Sequence, residues 1–525
     1  KKPTREYLGL SFFSLIFVLL LVLGNLCIQY MYDREVSIIM EFFTFRSIIS
    51  FIGYTALFQL FLGNVIPRLC KVKLKEIIYD KKKSKYVFLI SFIILILAWL
   101  PYFLSLFPGT VSTDSWGELM RASKNQLAFD NHTIVHLFII RLAYIIGYGI
   151  FKSLTAAIAT YSIIQILVLA SIFAYSLVFL YKHKVNFKIL IAILAFYALT
   201  PIFGYYSIVM WKDIYFAAFL LLLTIECYKL IENRNNLKIS NMISFIIVSI
   251  FTIFFRNNAI YMYFVLIIFS FIMLRNNYKK LIIMFAIVLS FYFIIKGPVF
   301  NCFSVQTSAS SEYIPMQQIG RMVYKDVDLT KSEKKTLNKL IDVGLLRDIY
   351  NPMSSDNIKF NDDYDKEVFD ENKFDYFKLW LGLVVKHPTI AIESYAISTL
   401  GYWYPNIWDR SYENTIVENT EGVKIEPKAP KAIRDYVANI ANQDIPIVAL
   451  TWSIGLLIWI FFIFAYINYK RDGFKHLYPY IPLFAVWLTI MAATPVYNET
   501  RYIFSLFTAL PFLLVVPFIK KNSFK

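Results

Sequence analysis

The feature of this sequence that most constrains its fold is a series of apolar windows, most of them about 17–25 residues long. A helix needs about 20 apolar residues to cross the hydrocarbon core of a bilayer, which is about 30 Å thick. Only 17% of the 525 residues are charged, whereas 58% are hydrophobic. This composition excludes a soluble globular protein. We therefore predict an all-α polytopic membrane protein.

The windows predict about twelve transmembrane helices, at residues 8–29, 47–67, 86–107, 154–181, 189–208, 213–230, 239–255, 259–274, 281–296, 446–468, 478–495 and 502–519. Lys and Arg cluster in the loops at 68–85, 182–188, 275–280, 470–475 and 520–525. All these loops fall on one side if each window crosses once, and the positive-inside rule makes that side the cytoplasm. The net charge of +17 thus reflects membrane topology, and we exclude nucleic acid as a partner.

One apolar segment, 132–152, does not fit this count. Counting it as a span would reverse every later loop, and it carries Arg141, which is costly at the centre of a bilayer. We predict a juxtamembrane or re-entrant helix there instead. Residues 297–445 are polar and helix-prone, and they predict a mainly helical domain outside the cytoplasm. Within it, 393–405 is apolar and is expected to lie as a helix on the membrane.

This topology divides the chain into four parts. They are an N-terminal two-span hairpin with a basic cytoplasmic loop (1–85), a transmembrane core with its first external loop at 108–153 (86–296), the extracytoplasmic domain (297–445), and the C-terminal transmembrane helices (446–525). The heavy use of Ile, Lys, Asn, Phe and Tyr is typical of an AT-rich bacterial genome. We therefore expect a multi-pass protein of a bacterial cell membrane.

Unusual polar side chains collect on the outer side of this topology. The first external loop contains the stretch FPGTVSTDSWGELMRASKNQLAFDNHTIVH (107–136), and four further groups fall on the same side: MWKD (210–213), FFRNN (254–258), IPMQQIGRMV (314–323) and TPVYNETRY (494–502). Charged side chains persist at a membrane boundary only when they form ion pairs or have a role in binding or catalysis. We predict an aqueous cavity at the outer leaflet, lined by carboxylates and cations.

Each of these groups also has a purely structural interpretation. Ser115 and Glu118 have the spacing of a capping box, so a helix that starts there would leave Asp114 as a flanking residue. His132 and His136 are spaced to share a helix face, but no third metal ligand lies nearby. The other structural interpretations are a helix start at Asp130 and His132, a Lys212–Asp213 pair at a span end, a snorkelling Arg256, and an Arg501–Glu499 pair.

The same residues resemble a known family. PGTVSTDS followed by DNHTIVH resembles the PG…DS…NHHP first-loop signature of an uncharacterised group of bacterial polytopic proteins related to GT-C glycosyltransferases. The KD, RNN, IPMQQIGRMV, KHPTIAIESYAISTLGYWYP and TPVYNETRYIF segments resemble that group's other landmarks in the same order, over about residues 86–520. Thr133 and Ile134 depart from the family's His-Pro, and the first two spans resemble an added hairpin.

The resemblance implies a GT-C-like bundle and a hexosyltransferase-like enzyme. Such enzymes move a sugar from a polyprenyl-phosphate carrier to an acceptor at the outer leaflet, usually with inversion, and use an acidic residue of the first external loop as catalytic base. The matching residue is Asp114, with Asp130 second. The implied partners are a polyprenyl-phosphate-linked sugar donor, membrane lipid and a cell-envelope glycan acceptor such as a wall polymer, teichoic acid, capsular polysaccharide or glycolipid.

The reaction also needs cations at the departing phosphate and groups that hold the sugar and the acceptor. The candidates for the donor phosphate are Lys212, Arg256, Arg321 and Arg501. The candidates for the acceptor or sugar are His132, Asp213, Asn257, Gln317, Tyr402, Trp403 and Glu499, with Tyr404 extending the aromatic pair into a platform.

Three questions stay open at this point. No cofactor is required by the sequence, but Asp114 and Asp130 would be able to share a divalent cation, Mg²⁺ or Mn²⁺. A transporter or flippase of a lipid-linked sugar would use the same outer cations, although it also requires groups on the inner side for alternating access. An oligosaccharide ligase or polymerase would share the chemistry and differ in the size of its donor.

Overall fold

A computed structural model describes residues 3–126, 128, 130, 133–305, 312–408, 412–440, 446–493 and 496–520. Over these residues the chain is helical, and its only β pairing consists of isolated bridges. The prediction of an all-α protein is therefore confirmed.

Ten helices of the described chain are long and apolar enough to cross a bilayer, which confirms a polytopic membrane protein. They are Gly9–Tyr30, Phe45–Lys71, Lys81–Ser105, Ile134–Phe151, Leu154–Lys182, Lys212–Glu232, Arg275–Cys302, Ile454–Asp472, Phe474–Ala493 and Thr500–Phe518. Nine of them coincide with predicted windows. The other three windows contain the shorter apolar helices Phe187–Leu199, Ile239–Phe254 and Ala259–Met273.

The predicted span at 189–208 is two helices, because Pro201 interrupts it. Proline has no backbone N–H, so it begins a new helix and does not continue the old one. We number the helices in chain order: α1 Pro3–Tyr30, α2 Ile38–Phe42, α3 Phe45–Lys71, α4 Lys81–Ser105, α5 Thr113–Ser123, α6 Ile134–Phe151, α7 Leu154–Lys182, α8 Phe187–Leu199, α9 Pro201–Tyr206, α10 Lys212–Glu232, α11 Ile239–Phe254, α12 Ala259–Met273, α13 Tyr278–Ile294 and α14 Phe300–Cys302.

The helices of the second half are α15 Tyr313–Tyr324, α16 Lys331–Leu337, α17 Val343–Ile349, α18 Asp356–Lys359, α19 Lys366–Glu371, α20 Lys373–Lys386, α21 Pro388–Ser398, α22 Lys431–Ile440, α23 Pro446–Leu450, α24 Ile454–Asp472, α25 Ile481–Ala493 and α26 Phe504–Val515. Short 3-10 helices precede α25 and α26, at Phe474–Tyr480 and Thr500–Ile503. A single π-helical turn, Ile295–Val299, follows α13.

The basic loops meet at one end of the bundle, which we call the basic end. Arg471 in the last turn of α24 donates hydrogen bonds to the carbonyl oxygens of Cys70 (2.7 Å), in the last turn of α3, and of Val72 (2.8 Å), which follows α3. The ammonium group of Lys520 lies 3.0 Å from Glu76 in the same loop. The amide of Ile77 donates to the carbonyl of Lys184, 3.2 Å away, after α7. Four of the five basic clusters therefore lie together, as predicted, and the position of the cluster at 275–280 stays a prediction.

The helix at Ile134–Phe151 packs against α7. Gly147 near its end contacts Ala156 and Ala157, and His136 at its start contacts Tyr161. Helix α6 is itself long and apolar enough to span a bilayer. The juxtamembrane or re-entrant placement expected for 132–152 therefore stays a prediction.

The helices between residues 312 and 440 include a small core of their own, built by residues such as Met316, Ile319, Leu337 and Leu346. The prediction of an apolar helix lying on the membrane at 393–405 is wrong. Helix α21 ends at Ser398, a turn follows, and the segment is buried against α1 and α24. Ile397 and Leu400 are completely buried, because protein surrounds the apolar side chains that were expected to meet lipid.

Candidate functional site

The loop after α4 is held by its backbone. Gly109 adopts a φ of +127°, a conformation that favours glycine, and a Cβ there would lie 2.9 Å from the carbonyl oxygen of Ile208 and would collide with Ser162. The next two residues pair with two other segments: the Thr110 amide donates to Ile208 (3.2 Å), and the Val111 amide donates to Thr415 (3.1 Å). Segments that are distant in sequence therefore fix the position at which α5 begins.

Helix α5 begins at Thr113, so Asp114 lies in its first turn and is exposed. The positive end of the helix dipole stabilises a carboxylate at this position. The structural interpretation of a capping box is wrong, because the helix starts before Ser115. The Ser115 hydroxyl donates to the carbonyl of Met210, and the Glu118 carboxylate lies beside His136.

Asp114 opens into a cleft of about 320 Å³, which we call the Asp114 cleft. It is lined by Val111, Ser112, Thr113, Asp114, Glu413, Thr415, Val417 and Arg501. Helices α4 and α10 and the helix Thr500–Phe518 each run from the basic end to the region of this cleft. The cleft thus lies at the end of the bundle opposite the basic loops, where the sequence predicted a polar cavity.

Arg501 is the cation of the cleft. Its guanidinium lies 5.2 Å from the ring centre of Trp211, and Nη2 lies 3.3 Å from the Tyr502 hydroxyl oxygen. Nε is buried 3.8 Å from a carboxylate oxygen of Glu499 but forms no hydrogen bond within the described parts of the chain. A guanidinium carries five N–H donors in a fork that matches phosphate. The Arg501 side chain is 24% exposed and lines the cleft, so its guanidinium is accessible to a ligand.

Glu413 is the second carboxyl group of the cleft, and no sequence pattern pointed to it. It is half-buried, and burial raises the pKa of its carboxyl group; the nearby Arg501 opposes that shift and Glu499 reinforces it. Glu413 reaches the cleft because residues 415–417 pair with Val111, about 300 positions earlier. No motif surrounds it, so only the tertiary pairing identifies it.

Three further predicted residues stand beside the cleft, near the start of α10 and α12. Arg256 donates to the Tyr502 carbonyl (2.6 Å), and its Nε lies 3.8 Å from the Asp213 carboxylate. The half-buried Lys212 interacts electrostatically with Asp213, Glu118, Arg256 and Asp114. The structure thus brings Asp114, Lys212, Asp213, Arg256, Glu499 and Arg501 into one charged group. Asp213 thus pairs with Arg256, which precedes α12, and not with Lys212 alone.

A buried polar chain supports this group from behind, and the sequence interpretation missed it. His136 Nδ1 lies 2.5 Å from a Glu118 carboxylate oxygen, and Nε2 lies 2.7 Å from the Tyr161 hydroxyl. Tyr161 donates to Gln165 (2.9 Å), which donates to the Val209 carbonyl (2.7 Å). Buried polar groups of this kind fix the elements that carry them. The histidine spacing suggested a metal, but a carboxylate and a phenol occupy both nitrogens of His136.

Asp130, the second predicted base, is buried outside the group of residues that line the Asp114 cleft. One carboxylate oxygen forms an ion pair with Lys296, and the other accepts the Ile134 amide (3.0 Å) at the start of α6. Asn257 donates to the Asp130 carbonyl (2.8 Å) and accepts from Lys296 (2.9 Å). Both carboxylate oxygens are therefore occupied, which does not suit a metal shared with Asp114. Within the described chain no cluster of three or more His, Cys, Asp or Glu residues suits a metal ion.

The remaining predicted residues lie elsewhere. Arg321 is completely buried against Glu393, and the Gln317 amide donates to the carbonyls of Asn351 (2.8 Å) and Pro352 (2.9 Å). Tyr402 and Trp403 are buried, as is Tyr404, so they offer no aromatic face to a sugar in this structure. Tyr402 nevertheless contacts the site, because its hydroxyl accepts the Glu499 amide (3.1 Å). His132 lies outside the described residues.

Residues 123–523 match the model of a family described as a family of unknown function, DUF6020. The match covers about three quarters of the sequence, so the chain belongs to this family. It includes Lys212, Arg256 and Arg501 and begins after Asp114. Neither the curated proteins nor the solved structures contain a match to the chain.

Proposed function

We propose that this protein is a membrane glycosyltransferase of the GT-C type. It would move a sugar from a polyprenyl-phosphate donor to a cell-envelope glycan or glycopolymer, outside the cytoplasm of a bacterium. The observation that carries this proposal is the Asp114 cleft, in which an exposed carboxylate faces the available guanidinium of Arg501 at the end of the bundle opposite the basic loops. The resemblance of the first loop to GT-C relatives supports the same assignment.

The chemistry assigns opposite tasks to the two sides of the cleft. The acceptor hydroxyl oxygen attacks C1 of the sugar, its proton passes to the Asp114 carboxylate, and the bond from C1 to the phosphate oxygen breaks. The electron pair of that bond leaves on the lipid phosphate. Attack on the face opposite the leaving group inverts the anomeric configuration. A positioned base of this kind contributes roughly 10²–10⁴-fold to the rate.

The cations beside the cleft suit the leaving phosphate. Arg501 faces the cleft, while Lys212 and Arg256 stand behind it. Charge-assisted hydrogen bonds from guanidinium to phosphate are short and strong, and they gain strength where water is excluded. Arg256 is already engaged with Asp213 and the Tyr502 carbonyl. Arg501 is therefore the residue expected to bind the phosphate directly.

Two carboxyl groups line the cleft, and their environments separate their roles. Asp114 is exposed in the first turn of α5, where an acceptor hydroxyl can approach it. Glu413 is half-buried near Arg501, where its carboxyl group suits hydrogen bonding to a sugar or acceptor hydroxyl. We assign the base to Asp114 and the orientation of a sugar or acceptor oxygen to Glu413.

The test is sugar transfer by the purified protein, with a panel of polyprenyl-phosphate sugars and an acceptor fraction from the cell envelope. We expect release of polyprenyl phosphate only when acceptor is present, a rate at least about 100-fold lower for Asp114→Asn, and an inverted product by NMR. Asp328→Asn, which changes an exposed carboxylate remote from the cleft in sequence, is the matched control.

One result would overturn the assignment of the base, and another would overturn the proposed function. Equal activity of Asp114→Asn and wild type would remove Asp114 as the base. If reconstituted protein moved the lipid-linked sugar between leaflets without cleaving it, the protein would be a transporter.

A further inference from the structure

A second depression, which we call the outer groove, lies between the α1–α2 loop and the helices α17 and α18. Its volume is about 680 Å³, within the range typical of ligand sites. Tyr32 forms one wall, and its carbonyl accepts a hydrogen bond from Tyr324 (2.8 Å), which joins the N-terminal hairpin to the helical domain. The outer groove thus depends on both parts of the chain.

The lining of the outer groove combines exposed aromatic rings with amide and carboxylate groups. Phe360 is 77% exposed and Tyr32 is 57% exposed, so both rings are accessible to a ligand in the groove. Between them lie amides and carboxylates, including those of Asn351, Asn357 and Asp348. Aromatic faces pack on the C–H faces of sugar rings, while planar amides and carboxylates hydrogen-bond hydroxyl groups. The combination fits a carbohydrate.

The charge of the outer groove narrows the class of ligand. Its charged side chains within the described chain are Asp348 and Asp356, and none of its described lining residues is Lys or Arg. Lys359 forms an ion pair with Asp356 (3.8 Å) and lies over the rings of Tyr313 and Phe360, with its side chain 4% exposed. A lining without an exposed cation offers a polyanion no counter-charge, and its carboxylates accept a neutral or amine-bearing ligand. A phosphodiester polymer is therefore disfavoured.

The backbone connects the outer groove with the Asp114 cleft. Ser354, next to the groove residues Asn351 and Asp356, forms a β bridge with Val496, and the Tyr497 amide donates to the Met353 carbonyl (2.8 Å). Arg501 in the cleft follows Val496 by five residues, which span at most about 17 Å. An oligosaccharide in the groove would therefore lie within a few sugar units of the cleft.

We propose that the outer groove binds a neutral or amine-bearing oligosaccharide and that this oligosaccharide is the acceptor. The second half of the proposal rests on the proposed glycosyltransferase function, whereas the first half does not. The groove holds the body of the acceptor chain while its terminal hydroxyl reaches Asp114. It therefore selects the acceptor by shape and charge, without taking part in the chemistry.

The test measures binding separately from transfer. The probes are chitotetraose (neutral), its fully deacetylated tetramer (cationic) and a glycerol phosphate oligomer of similar length (anionic). Binding to the purified full-length protein is followed by saturation-transfer NMR. The groove variant is Phe360→Ala with Asp348→Asn. Its matched control is Phe374→Ala with Asp375→Asn, which removes an equally exposed pair from α20 outside the groove.

We expect the two sugar probes to bind wild type and the anionic probe not to bind. The groove variant should weaken sugar binding by about tenfold or more, the control should not, and Asp114→Asn should retain binding. The groove variant should also raise the KM for the acceptor and leave the KM for the donor unchanged.

The two proposals fail in different ways. If the groove variant loses sugar binding but no donor is ever turned over, the groove stands and the glycosyltransferase function falls. If transfer occurs and the groove variant keeps its affinity and acceptor KM, the groove assignment is overturned and the function stands. Failure of both sugar probes to bind, or a preference for the glycerol phosphate oligomer, also overturns the groove assignment.

Discussion

Arg501 and Arg321 were predicted for the same task, and the structure places them in opposite environments. Arg501 lines the Asp114 cleft, and its side chain is 24% exposed. Arg321 is completely buried, forms an ion pair with Glu393 and donates to the Met31 carbonyl. The same residue type is thus accessible to a ligand in one region and buried in an ion pair in the other.

The difference lies in burial, since the Nε of each arginine lacks a hydrogen bond within the described chain. The Glu393 carboxylate forms ion pairs with Arg321 (3.4 Å) and Lys325 (3.0 Å) and accepts a hydrogen bond from the Ser37 hydroxyl (2.9 Å). This cluster therefore connects α15 and α21 to the loop before α2. A buried charge persists only with such partners. A cation at an open cleft, such as Arg501, is instead accessible to a substrate. Exposure therefore separates a binding residue from a structural one better than residue type does.

The largest effect is expected from breaking the buried cluster. Glu393→Gln would leave Arg321 and Lys325 side by side in the interior without a counter-charge. Burial already lowers the pKa of Lys325 despite the neighbouring Glu393, so losing this carboxylate would depress that pKa further. We expect a loss of about 3–5 kcal/mol in the free energy of unfolding, seen as a lower thermal midpoint of the purified protein.

Glu367→Gln, which changes an exposed carboxylate of the same domain, should leave the midpoint unchanged. A Glu393→Gln protein as stable as wild type would show that the cluster is not structural, and the contrast with Arg501 would disappear.

The next effect is on activity, and it tests whether the accessible Arg501 binds the donor. Arg501→Gln should lower kcat/KM for the polyprenyl-phosphate donor by about 100-fold, because it removes a charged donor from the departing phosphate. Arg501→Lys keeps the charge but loses the fork, and it should retain intermediate activity. Arg321→Gln should reduce the amount of folded protein while each folded molecule keeps its activity. Equal rates for Arg501→Gln and wild type, measured at matched folded protein, would exclude Arg501 from the site.

Much of the fold could be predicted because the membrane imposes a simple rule on sequence. Apolar windows of spanning length and one-sided Lys/Arg loops gave most of the helices and the common basic end. The same topology predicted one charged group. To place its residues together, it was enough to know which helix ends lie on the outer side; they are Asp114, Lys212, Asp213, Arg256 and Arg501. Helices α11 and α12 end within one residue of the predicted windows, whereas the shortened helix α8 was not predicted, since the break at Thr200–Pro201 lies inside a continuous apolar window.

The wrong or missing predictions of site residues share a different cause. Apolar surroundings made by protein and by lipid look alike in sequence, so Tyr402 and Trp403 were expected at a surface and are buried. Arg321 was assigned by residue type, but its partner Glu393 lies 72 positions away. Glu413 carries no motif and reaches the cleft only through pairing with Val111. Long-range pairing decides these positions, and a single sequence does not display it.

A smaller effect should follow from disturbing the loop that positions Asp114. Gly109→Ala introduces a side chain at a φ of +127° and directs it at Ser162 and at the Ile208 carbonyl. We expect a cost of about 1–3 kcal/mol and a lower kcat, because relief of the clash moves the start of α5. Gly117→Ala in α5 is the matched control, since a Cβ there meets nothing within 4 Å. It should be neutral or slightly stabilising. Similar results for the two variants would show that this loop does not position the site.

The smallest effect concerns the stability cost of a half-buried carboxylate in the cleft. The pKa of Glu413 is raised in the folded protein by burial, so the folded state holds this proton more tightly than the unfolded state does. The ionised group therefore destabilises the fold as the pH rises above the usual glutamic acid pKa of about 4.3. Glu413→Gln should raise the thermal midpoint at pH 7.5, by less than about 1 kcal/mol because solvent screens the group, and the gain should vanish near pH 4. A lower midpoint at pH 7.5 would mean that pairing with Arg501 outweighs burial, and the cleft would then resemble the Arg321 cluster more than an open site.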